Sequence, residues 1–249
     1  MVEMHGGTTT GFAGAIRYDL KRLHESWMAL FFPRQRGTET GVLGKWEPSS
    51  TSGKIAYRAW SALGAPVVAA LYPLALVGFA VRYYTRRIDG TATRLGALGV
   101  ILVSILVWGG LTALARLRFS TTGFLAVGAA GGIATVAAAL AYLTGTRGGR
   151  ASTVLLAYPF AMSALFLPPV VAALYSPTLS SVVLDNSYTL AIWILDNPLD
   201  LWGLNTLLRE QFTLEGANYV AMWFGISVPV GWLVGLLVTL ADVVRPKSA

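Results

Sequence analysis

Asp185, Asp196 and Asp200 are the side chains best suited by type to chemistry in this chain. Carboxylate oxygens bind hard divalent cations, so the three are candidates for a metal site. Aspartate and Asn-Pro also cap helix starts, which is their commoner use. No metal and no cofactor are therefore expected. His24 followed by Glu25 could be drawn as an acid–base pair, but neighbours on a helix point in different directions. Polar surface is the simpler account of both. His5 and His24 are the only histidines and there is no cysteine. That excludes disulfides, thiolate chemistry and Cys-ligated metals, and leaves little for a His-rich metal site or a Ser-His-Asp triad.

A second chemistry would use the backbone. Pro159, Pro168 and Pro169 stand in one apolar run, and Pro229 follows Ser227 in another. Proline removes a helical donor, and carbonyls freed at mid-membrane can coordinate a substrate or ion. Ser163, Pro168, Ser227 and Pro229 are thus candidates for a solute pathway. The competing reading is a kinked helix whose carbonyls are satisfied by its neighbours. None of the apolar runs contains a charged residue, whereas proton-coupled pumps usually keep one in the membrane.

The elements that hold these residues are long and oily. The chain is 55% hydrophobic and only 12% charged, about half the charge of a soluble domain. Its mean hydropathy is +0.60. Five runs are long enough for a spanning helix, about 59–81, 95–115, 123–144, 153–175 and 217–241. In lipid the backbone must satisfy itself, so these are helices. The expected fold is an all-α integral membrane protein, a bundle of about five transmembrane helices with an N-terminal amphipathic interfacial helix. Residues 1–58 form a basic tail and 59–249 a polytopic membrane domain. A cleaved signal peptide is not expected, the first span serving as the targeting signal.

In the tail, RYDLKRLHESWMALFFPRQR places Ile16, Leu20, Leu23, Trp27, Leu30 and Phe31 on one helical stripe ending before Pro33. A basic amphipathic helix of about 14–32 either lies in the headgroup layer or packs on the protein's own face. Gly128 with Gly132, and Gly231 with Gly235, have GxxxG spacing, which lets helix backbones approach within a bundle or between subunits. The Gly128–Gly132 run lacks the Lys-Ser/Thr of a phosphate loop. Residues 176–216 read as a long loop, with short surface helices at Leu190–Leu195 and Leu199–Leu208 and with Trp193 and Trp202 at headgroup level.

The net charge of +7 comes with no nucleic-acid motif, so the expected partners are the bilayer and its anionic headgroups, with other membrane proteins or further copies of the chain beside them. Eight Lys and Arg place the tail in the cytoplasm, yet Arg82, Arg86, Arg87 and Arg94 after the first run ask for the same side. Pro66 and Pro73 could fold that run into a hairpin; a full crossing is the expected arrangement. The function expected is that of a multi-pass cell-membrane protein, non-enzymatic, acting as a scaffold, assembly factor or accessory subunit. The alternative is a small-solute transporter or channel using the proline-broken fourth and fifth runs, and a membrane enzyme stands third.

Overall fold

The computed structural model describes residues 12–32, 50–200 and 203–244. The described residues form helices and no strand. Five helices are long and apolar enough to cross a membrane: Thr51–Tyr84, Gly96–Arg118, Thr121–Arg147, Arg150–Leu174 and Ala217–Val244. In chain order the elements are α1 (Phe12–Ala29), α2 (Thr51–Arg118), α3 (Thr121–Arg147), α4 (Arg150–Leu174), α5 (Pro177–Asp196), α6 (Leu204–Gln211) and α7 (Ala217–Val244). Pro33, Trp202, Arg245 and Lys247 lie outside the described residues.

Two compact units divide the chain. One comprises residues up to Tyr84 together with those from Leu237, and the other runs from Thr85 to Leu236. The first is organised by α1 and the start of α2. The stretch Thr51–Tyr84 is one helix of 34 residues, about 51 Å long at 1.5 Å per residue. Pro66 and Pro73 sit inside it without reversing the chain, and non-helical backbone within α2 falls at Gly96, with φ 65°. Glycine takes that conformation without a Cβ penalty. The connection read from sequence between the first two runs is therefore helical, and the break falls after it.

In the second unit α2, α3, α4 and α7 pack through small residues. A Cβ on Gly128 would touch Thr112, and one on Gly131 would touch Trp108. Numbers fall along α2 as they rise along α3, so the two are antiparallel. The next pair is antiparallel as well: Gly123 faces Tyr175, and Gly145 faces Ala157. Ser120 caps α3, its hydroxyl accepting from the Gly123 N–H. Alanine dominates the cores, with Ala115, Val127, Ala130, Leu167, Val171 and Ala172 in one cluster and Ala134, Ala137 and Ala164 in another. Such residues bury little area but let helix backbones approach closely.

The stretch expected as a long loop differs most from its reading. It holds one helix of 20 residues, α5, followed by the short α6. Ser176 caps α5 by accepting from the Leu179 N–H, and Pro177 opens it. Proline at the first helical position has a preset φ and loses no bond it would have made. Leu184 and Ser187, three apart, are buried on one face of α5.

Candidate functional site

The most developed polar arrangement lies where α4 meets α7. Its cause is Pro159. Proline has no N–H for the carbonyl four residues earlier and its ring crowds that carbonyl. The backbone before it, Thr153–Ala157, widens into a π turn. The carbonyl left without its helical donor is that of Leu155, and the indole Nε1–H of Trp232 on α7 donates to it at 3.2 Å. Gly231, one residue before, makes this possible: a Cβ there would collide with the backbone N of Pro159 and stand 2.6 Å from its Cα. One turn on, a Cβ on Gly235 would lie 2.8 Å from Tyr158 and 3.2 Å from the Val154 Cα.

Further along the same seam the hydroxyls of Ser163 and Ser227 are 2.6 Å apart, and both residues are buried. Ser227 can instead donate to the Phe224 carbonyl, at 2.6 Å. The Trp223 ring meets Phe166 edge-on at 5.0 Å, and its Nε1–H donates to the Ser187 hydroxyl on α5 at 2.8 Å. The crevice lined by Ser163, Phe166, Leu167, Trp223 and Phe224 has no room for a water molecule. The pairs 154 with 235, 159 with 231, 163 with 227 and 166 with 223 run in opposite senses, so α4 and α7 are antiparallel.

Of the four residues read as a solute pathway, Ser163 and Ser227 thus bond to each other, Pro168 is fully buried within α4 and Pro229 is exposed. Gly231 and Gly235 form a close-packed pair. Gly128 makes a helix contact while Gly132 meets nothing within 4 Å, and the close approach on α3 is shared with Gly131 instead. The three aspartates do not converge, and no group of three metal-ligating side chains occurs among the described residues. Asp196 pairs with Arg209 at 2.6 Å, and Asp200 accepts from the Asn205 amide at 2.6 Å.

In the first unit α1 docks on α2 through two tryptophans. The rings of Trp27 and Trp60 stack at 4.2 Å. Each indole donates to the other residue's carbonyl, at 3.0 and 3.2 Å. His24 Nε2 lies 3.1 Å from the Ser61 carbonyl, so this histidine is a docking contact. Leu23 is buried, Leu20 and Trp27 pack beside it, and Ile16 is half-buried. Leu30 and Phe31, past the end of α1, are about two-thirds exposed, with Phe31 edge-on to Trp60. Arg82 binds Asp242 at 2.7 Å, donates to the Ala241 carbonyl and lies over Phe79. The two partners of this ion pair are 160 residues apart in the chain.

Compared with protein-family models, curated proteins and solved structures, the chain matches none.

Proposed function

We propose that this chain is a multi-pass membrane protein that acts as a non-enzymatic scaffold or accessory subunit. The observation that carries the reading is the closed seam between α4 and α7. The polar groups there satisfy each other: the carbonyl freed by Pro159 is taken by Trp232, and the two buried serines share a bond. A serine pair in a tight seam holds helices together. Leu98, Leu106 and Leu117 stay about three-quarters exposed on α2, a surface that suits lipid or a partner helix.

Helices α2 (from Gly96), α3, α4 and α7 alternate in direction, which supports a pattern in which the segment between α4 and α7 begins and ends on one face. The proposed pattern has five crossings, with α5 on the face where α4 ends. With the tail in the cytoplasm, that face is cytoplasmic and carries eleven of the Lys and Arg, against eight opposite.

Purification from native membranes in mild detergent, followed by native mass measurement, tests the reading. The scaffold role predicts a stoichiometric second polypeptide in the particle. A particle holding this chain alone, as a monomer, would overturn it. A second reading, a small-solute transporter, is favoured by the π turn, since such bulges recur at functional sites. It predicts that cross-linking the serine seam stops solute flux in proteoliposomes.

A further inference from the structure

The geometry points to a binding groove for an anionic phospholipid between α1 and α2. Its volume is about 680 Å³, within the usual range for ligand sites. The floor is Ala65, Val68 and Ala69 on α2, where two alanines one turn apart leave depth. One wall is the face of α1 that carries Ile16, Leu20 and His24. Arg17 and Lys21, one turn apart, stand on the rim. Both are exposed, and neither makes an ion pair among the described residues. Their neighbour Arg22 is turned to the Tyr18 hydroxyl. No acidic side chain lines the groove among the described residues, and Asp19 on the same helix is fully buried.

Cations above an apolar trough match a phosphate headgroup with its acyl chain beneath it. The stems of Arg17 and Lys21 are long enough to carry their charges toward a headgroup. His24 is held by Ser61, so the wall is already formed.

This inference rests on the membrane reading above. The test uses the full chain in nanodiscs of phosphatidylcholine, with or without phosphatidylglycerol, and reads retained lipid by native mass measurement. Wild type should retain phosphatidylglycerol in preference to phosphatidylcholine. Each rim charge is worth about fivefold at an anionic surface, so R17Q/K21Q should lose roughly 25-fold. A69L, which fills the trough without touching a charge, should also lose the lipid while melting with wild type. Equal retention by R17Q/K21Q and wild type overturns the proposal. So does displacement of the lipid by free glycerol phosphate at equal concentration, since the site would then read phosphate alone. Alkaline carbonate separates the two failures: a chain it releases from membranes contradicts the membrane reading, while a resistant chain with unchanged retention contradicts only the groove.

Discussion

Adding one methyl group at Gly231 should separate the helices on which the account depends. An alanine Cβ there would lie 2.6 Å from the Pro159 Cα and closer still to its nitrogen. Ordinary carbon contacts are about 3.5–4.0 Å, so the seam must open by about 1 Å. The obstacle is backbone at a proline, which cannot rotate away. Overpacking of this kind costs about 1–3 kcal/mol. The displacement also strains the bond from Trp232 to the Leu155 carbonyl, worth about 1 kcal/mol. Alanine's better helix propensity returns about 1 kcal/mol. The net loss is about 1–3 kcal/mol, and at roughly 2–4 °C per kcal/mol for a chain of this size the melting temperature should fall by about 2–12 °C. G132A is the matched control, since its Cβ would meet nothing within 4 Å. It keeps the propensity gain without the collision and should melt at or slightly above wild type. Thermal unfolding in mild detergent, followed by tryptophan fluorescence, measures both. If G231A melts with G132A, the packing of α7 on Pro159 is wrong.

The seam further along makes a cysteine prediction. The Ser163 and Ser227 hydroxyls are 2.6 Å apart, close to the about 2.05 Å of a disulfide, and the chain has no cysteine of its own. S163C/S227C should form an intramolecular disulfide on mild oxidation, seen as a gel shift absent from either single variant. Arg82 and Asp242, both largely shielded, should be coupled. R82D or D242R alone should lower the melting temperature by about 2–4 °C for each kcal/mol lost, and the double exchange should recover most of it.

The five apolar helices were legible because each contains an uncharged run of about 20 residues or more, the length and composition of a spanning helix. Helix α5 was not. Asp185 and Asn186 interrupt its hydropathy, while the Ser176–Pro177 start signal, present in the sequence, says nothing about length. Pro159 announces a stranded carbonyl at Leu155, but its donor, Trp232, is 77 residues away, and one sequence does not set the register between distant helices. The serines show the same division. Ser163 and Ser227 stood out by type and place, yet only packing shows that they meet each other. Gly132 and Gly235 share the same spacing rule, and only Gly235 has a neighbour. In α1 the stripe through Leu20, Leu23 and Trp27 was readable, whereas its partner face, led by Trp60, was not.

The crossing pattern is the most direct test of the central claim. Single cysteines at Ser50, Gly90, Gly149 and Asn205 in the cysteine-free chain can be labelled with a membrane-impermeant maleimide in intact cells, and again after permeabilisation. Gly90 and Gly149 should label from outside, and Ser50 and Asn205 only after permeabilisation. Labelling of Gly149 and Asn205 from the same side would contradict this pattern, because α4 would then not cross.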